Sequence, residues 1–170
     1  MKGSWGRRPV DAAVIYARRG WEVFPCHSPA KGSGACTCAH VDCGSPAKHP
    51  RVKGGLNAAT TDEDVIRRWW ASWPSANVAI RTGAASGLVV VDIDPDHGGD
   101  RSLDALLSEH GPLPTGRTIR TGSGGRHLYF SHPGHSIPND AGRRLGAGLD
   151  VRGDGGYVIA PPSVHASGGR

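Results

Sequence analysis

The stretch Gly87-Leu88-Val89-Val90-Val91-Asp92-Ile93-Asp94 closes an apolar run with two carboxylates one residue apart. Leu88 to Val91 read as a buried β-strand, and strand side chains alternate faces. Asp92 and Asp94 therefore share one side and Ile93 takes the other. Two like charges on one side repel unless a cation lies between them, which points to a divalent metal site at the end of a core strand.

Three further constellations carry chemistry. In Arg120-Thr121-Gly122-Ser123-Gly124-Gly125-Arg126-His127, small residues let backbone amides approach an anion. Arg120, Arg126 and His127 flank the loop with positive or donor groups, which suits a triphosphate. The loop lacks G-x-x-x-x-G-K-[ST] and opens a strand rather than a helix, so a Walker-type NTPase is disfavoured. In Leu149-Asp150-Val151-Arg152, the acid and the cation face one side of a strand. There they offer a third acid for the aspartate pair and a charge for a phosphate. Asp154, before Gly155-Gly156, reads as a turn residue. In Cys36-x-Cys38-x4-Cys43-x5-His49, three thiolates and an imidazole make a closed tetrahedral zinc set of the structural kind. Cys26, His27 and His40 remain substitute ligands.

The elements that must position these groups fit one domain. The chain has 170 residues, 37% hydrophobic, with 26 glycines and 13 prolines, which favours a turn-rich fold over a helical bundle. A net charge of +5 favours polyanionic partners, nucleic acid before acidic membrane. No apolar run approaches the roughly 20 residues that span a bilayer. No signal-like segment follows the N-terminus, because Asp11, Arg18 and Arg19 interrupt it. The expectation is a cytoplasmic protein with no membrane partner, whose cysteines bind metal or stay free rather than pair.

Pro9 opens a first helix with Val10, Ala13, Val14 and Ala17 on one stripe, closed by Gly20. Trp21 to Pro25 reads as a short strand. The loop from Cys26 to about Asn57 is long enough to need its own stabiliser. Thr60-x-x-Glu63 predicts a capping box for a second helix, with Ile66, Trp69, Trp70 and Trp73 on one face and Pro74 as its stop. Val78 to Arg81 predicts a strand, Thr82 to Gly87 a hairpin-like loop, and Leu88 to Ile93 the central strand. A third helix carries Leu103, Leu106, Leu107 and His110 before Gly111, and short strands follow from Arg117. The pattern predicts an α+β fold with a mixed or largely antiparallel sheet flanked by helices.

Read in order, these segments resemble a known family. They are Gly20-Trp21-x-Val23-Phe24-Pro25, the Cys-x-Cys loop running to Lys48-His49-Pro50, Ala59-Thr60-Thr61-Asp62, Trp69-Trp70 and Asn77-Val78-Ala79-Ile80. After them come Val91-Asp92-Ile93-Asp94, Thr121 to His127 and Gly148 to Arg152. The chain resembles the bifunctional DNA primase/polymerase N-terminal domain of the archaeo-eukaryotic primase superfamily, found in plasmid, phage and actinobacterial replication proteins, from about Val10 to Gly168.

The resemblance implies a primase-like (RRM-like) catalytic core over residues 1–170, with a zinc-binding loop inserted at about 26–57. Asp92, Asp94 and Asp150 would hold two Mg²⁺ or Mn²⁺ ions, and Zn²⁺ would sit on Cys36, Cys38, Cys43 and His49. His127 would contact the phosphates of a nucleoside triphosphate beside Ser123, Gly124 and Gly125, with Arg120 and Arg152 as further nucleotide contacts. The implied activity is template-directed primer synthesis and extension on single-stranded DNA. Arg51, Lys53, Arg67, Arg68, Arg143 and Arg144 are candidates for gripping the template and primer, and Trp5 offers a stacking ring in a tail that reads as disordered. A larger replication protein with a helicase domain is the expected context. Two other readings stay open: an inert zinc-containing nucleic-acid-binding module, and a metal-dependent nuclease or phosphohydrolase using the same acids. The glycine loop beside His127 favours the triphosphate.

Overall fold

The computed structural model describes residues 8–114 and 116–169, so Trp5 lies outside the described residues. In chain order the elements are α1 (Pro9–Ala17), β1 (Val23–Cys26), α2 (Glu63–Ser72), β2 (Asn77–Arg81), β3 (Leu88–Ile93), α3 (Gly99–His110), β4 (Arg117–Arg120), β5 (Arg126–Ser131), β6 (Asp140–Ala141), β7 (Leu149–Arg152) and β8 (Tyr157–Ala160). They form two compact units, Met1–Arg81 with Tyr157–Arg170, and Thr82–Gly156. Every strand pairing is antiparallel, and the strands form two sheets, one in each unit. The α+β fold with antiparallel sheets and helices is that expected of a primase-like domain.

The first unit carries the sheet β1-β2-β8. Pro9 sits in the first turn of α1, where its fixed φ suits a helix and its missing N–H costs nothing. Ala12, Ala13, Val14, Tyr16 and Ala17 are buried. β1 begins at Val23, two residues later than expected, because the Trp21 N–H still bonds back to the Tyr16 carbonyl and the indole stacks on Tyr16. The predicted capping box does not form. Thr60 is held in an antiparallel bridge to Val23, and Asp62 caps α2 instead, its carboxylate accepting the Asp64 and Val65 N–H groups at 2.8 and 3.2 Å. Glu63, the first helical residue, pairs with Arg18 and Arg67.

One face of this sheet presents Phe24, Cys26 and Ala79, all fully buried under Val52, Leu56, Ala59 and Trp69. On the other face Val23, Val78, Ile80, Val158 and Ala160 are equally enclosed. Burying each such side chain stabilises the unit by about 1.5–3 kcal/mol for the larger aliphatics. The long loop is tied to this core rather than left to itself. Asn77, 2% exposed, donates to the carbonyls of Ala47 and Val164, both at 2.9 Å, and accepts the Val164 N–H.

The second unit is the sheet β4-β5-β3-β7-β6 with β3 at its centre. The apolar run therefore becomes its best-protected strand, with Val90 and Ile93 fully buried. Thr82 to Gly87 is a hairpin-like loop, closed by an antiparallel bridge between Gly83 and Leu88 around a 3₁₀ turn at Ala84–Ser86, although β2 and β3 themselves lie in different sheets. α3 packs on β3 and β7, half-burying Leu103, Leu106 and Leu107, whereas His110 at the end of that stripe is exposed. Asp100 on α3 pairs with Arg126 of β5.

Candidate active site and metal cluster

Strand register assembles the first group. In the second unit Asp92 stands opposite His127 on one neighbouring strand and opposite Asp150 on the other. Directly opposed residues share a face with Cα atoms about 4.5–5.5 Å apart, so the three form a row across β5, β3 and β7. Asp92 Oδ1 lies 3.4 Å from His127 Nε2. The His127 side chain is only 9% exposed, and its buried Nδ1 has no hydrogen-bond partner among the described residues. Two residues along β7 on the same face, Arg152 donates to the Asp150 carboxylate at 2.7 Å.

Asp94 is positioned differently. It lies one residue past β3, where strand alternation no longer decides its direction, and it caps the 3₁₀ turn Pro95–His97. Its carboxylate accepts the Asp96 N–H at 3.0 Å and meets His97 Nδ1 at 2.8 Å. The Asp94 hydrogen bond and charge raise the pKa of His97 above the ordinary imidazole value. The Asp94 backbone is clasped from both sides, its N–H bonding to the Gly148 carbonyl and its carbonyl to the Gly99 N–H, each at 2.8 Å. A Cβ at Gly148 would fall 2.4 Å from the Gly99 nitrogen, and one at Gly99 2.5 Å from the Gly148 oxygen. Sequence reasoning missed His97, Gly99 and Gly148 in this role. The only signal was a histidine three residues after Asp94 and the glycine pair Gly98-Gly99 that follows it.

The glycine loop is the tight β4–β5 hairpin. The Thr121 N–H bonds to the Gly125 carbonyl and the Gly124 N–H to the Thr121 carbonyl, with the hydroxyls of Thr121 and Ser123 3.0 Å apart. Gly124 is in the left-handed region at φ +96°. Gly125 is glycine for another reason, since a Cβ there would meet the Ile93 carbonyl oxygen at 2.4 Å. Register pairs Arg120 with Arg126 and Arg126 with Ile93. These residues are therefore on the face opposite Asp92 and His127, the face from which Arg126 reaches Asp100. Asp154 is a tie rather than a site member. It accepts the Ala84 and Ile137 N–H groups at 2.8 and 2.9 Å, which hold its carboxyl below the usual range.

In the first unit, Cys36, Cys38, Cys43 and His49 come together with all ligand atoms within 4.8 Å of one another, the one such group among the described residues. His49 Nε2 lies 3.4 Å from the Cys36 sulfur and 3.5 Å from that of Cys43. Burial pushes the Cys36 thiol up, but the Ala47 and Cys38 N–H groups with Cys38 and His49 outweigh it and bring it down to about 6. Three soft sulfur donors and an imidazole fit zinc, whose charge offsets the repulsion of gathered thiolates. Of the substitutes, Cys26 is fully buried and its thiol is driven up by burial. His27 turns Nδ1 to the Thr37 hydroxyl at 3.0 Å.

Charge divides between the units. The first holds 13 lysines and arginines against 6 acids, net +7, and the second 7 against 9, net −2, which together make the chain's +5. Of the candidate template residues, Arg67 is paired with Glu63, and Arg51 lies over the Trp73 ring. Lys53, Arg68, Arg143 and Arg144 are exposed. Among the described residues no helix is long and apolar enough to cross a membrane.

The second unit thus carries an acid row on an antiparallel sheet, beside a buried histidine and a glycine hairpin. The family model described as bifunctional DNA primase/polymerase, N-terminal, matches residues 13–170. The chain belongs to that family, and its general role is primase/polymerase-type nucleotidyl transfer. No curated protein matches the chain.

Proposed function

We propose that this chain performs template-directed nucleotidyl transfer, making and extending primers from nucleoside triphosphates on single-stranded DNA in plasmid or phage replication. The observation that carries the reading is the row His127–Asp92–Asp150, produced by register alone. Like charges directly opposite on neighbouring strands are destabilising without a counter-charge. Asp92 and Asp150 are thus suited to hold hard divalent cations, and Asp94, one residue past β3, is proposed as the third acid. Mg²⁺ or Mn²⁺ bound there would lower the pKa of a primer 3′-hydroxyl and neutralise charge on the triphosphate and the leaving pyrophosphate.

The chain's own groups do the positioning. His127 directs Nε2 toward Asp92, and so offers a donor to phosphate at the metal edge. Arg152 orients the Asp150 carboxylate and supplies a fixed cation on the same face. The amides of Ser123 and Gly125 at the hairpin tip are the anion contacts, while Arg120 lies on the other face. The test is incorporation of labelled nucleotide on a primed template by Asp92→Ala and Asp150→Ala. Each is expected to lose at least about a thousandfold in rate with an unchanged circular dichroism spectrum. Retained extension by both purified variants would remove the assignment, and degradation of DNA without added nucleotides would replace it with a nuclease.

A further inference from the structure

The metal loop of the first unit is joined to a cation on the surface of the same unit. His49 and Arg51 lie on an extended segment paired with β1. Cys26 bridges Pro50, the His27 N–H donates to the His49 carbonyl at 2.9 Å, and the Arg51 N–H to the Pro25 carbonyl at 2.9 Å. His27 stands opposite His49, and their rings stack with centroids 4.4 Å apart. Thr37, the residue between Cys36 and Cys38, turns its hydroxyl toward this row. Its Oγ1 lies 3.0 Å from His27 Nδ1 and accepts the Ser28 N–H at 3.1 Å and Arg51 Nη1 at 3.4 Å. Beyond it, the Arg51 guanidinium carbon sits 5.1 Å from the centroid of the Trp73 ring, and neither residue is buried.

An arginine ordered on an indole offers a plane for an unstacked base and a charge for its phosphate. It stands in the unit with net charge +7, where a single strand finds the electrostatic attraction it needs. Thr37 cannot keep its place unless Cys36 and Cys38 keep theirs, and a metal ion shared by the cluster would fix those two. We infer that the Arg51–Trp73 pair is a single-strand nucleic-acid contact, and that metal in the Cys36, Cys38, Cys43, His49 cluster sets its position through Thr37. The inference rests on the proposed template-dependent function and adds to it a surface and its control.

The experiment is fluorescence anisotropy of a labelled oligothymidylate titrated with the full chain over a salt series, with zinc content measured in parallel. Arg51→Ala is expected to weaken binding about tenfold and to reduce the salt slope by about one. Arg19→Ala removes the same charge from the same unit at the Trp21 ring and is expected to weaken binding less. Thr37→Val is expected to keep its zinc and still bind several-fold more weakly. Equal losses for Arg51→Ala and Arg19→Ala would mean bulk charge alone and overturn the contact. A zinc-loaded Thr37→Val chain that binds like the wild type would overturn the link to the metal. A wild-type chain that binds through Arg51 yet incorporates no nucleotide counts against the proposed function and supports the contact. Incorporation by a wild-type chain whose Arg51→Ala variant binds normally does the reverse.

Discussion

The two units order their chemical groups by opposite means. In the second, the row His127–Asp92–Asp150 is set by hydrogen-bonded register between three strands, so each side chain is placed before any ligand arrives. In the first, Cys36, Cys38, Cys43 and His49 stand on a loop with almost no regular structure, held by edge pairing to β1 and by Asn77. Charge follows the same division, with net +7 on the loop-built unit and −2 on the sheet-built one. Net positive charge therefore falls on one set of residues while the acid row stands on another. The contrast predicts that the loop-built group depends on its metal for order and the sheet-built group does not.

The largest expected effect breaks that contrast or establishes it. Cys36→Ser removes a ligand on which His49 Nε2 and the Ala47 N–H converge, and is expected to lose zinc. Structural zinc contributes roughly 10–16 kcal/mol of binding free energy in peptides with no other core. Here the loop closes on an existing sheet, so the expected loss is a fraction of that, on the order of 3–5 kcal/mol. Hydrogen exchange should rise through residues 26–57 and stay unchanged across β3, β5 and β7. Equal loss of protection in both regions would show that the sheet also needs the metal.

A smaller effect separates two glycines of the second unit. Gly148 has φ +72° and no room for a Cβ, whereas Gly124 has φ +96° but open space around it. Gly148→Ala should therefore cost the overpacking penalty of about 1–3 kcal/mol in addition to backbone strain. Gly124→Ala should cost strain alone, on the order of 1 kcal/mol. Urea unfolding midpoints read the difference. Equal shifts would mean that the clasp around Asp94 relaxes freely and does not position its carboxylate.

What was legible in the sequence follows the same physics. The strand positions of Asp92 and Asp150 were readable because strand alternation is local, and the glycine hairpin because Gly124 marks a turn wherever it falls. The grouping of Cys36, Cys38, Cys43 and His49 was readable from donor type, though not the exclusion of Cys26, which depends on burial by residues distant in sequence. The direction of Asp94 was not readable, because alternation stops where pairing stops, one residue before it. The face of Arg120 needed a register that only the folded sheet supplies. Thr60 gave a capping signal, but its bridge to Val23, a partner 37 residues away, left Asp62 to cap the helix. The division into two sheets was not readable, because short antiparallel strands look alike whichever sheet they join.

The smallest effect tests whether the sheet-built unit is as indifferent to conditions as its register implies. Asp154 ties the Ala84 and Ile137 backbone together, and those N–H groups hold its carboxyl below the usual value. A depressed folded pKa means the tie stabilises the unit fully above the ordinary carboxylate value near ~4. That stabilisation is withdrawn as pH falls from there through the lower folded value. Asp154→Asn keeps the shape and one acceptor oxygen but has no proton to gain, so it should be less stable at neutral pH and lose less on acidification. Thermal midpoints of both chains from neutral to acid pH should therefore converge below the ordinary carboxylate value. Parallel curves would show that the loops of the second unit are held by packing around Gly83 and Gly153 rather than by this carboxylate.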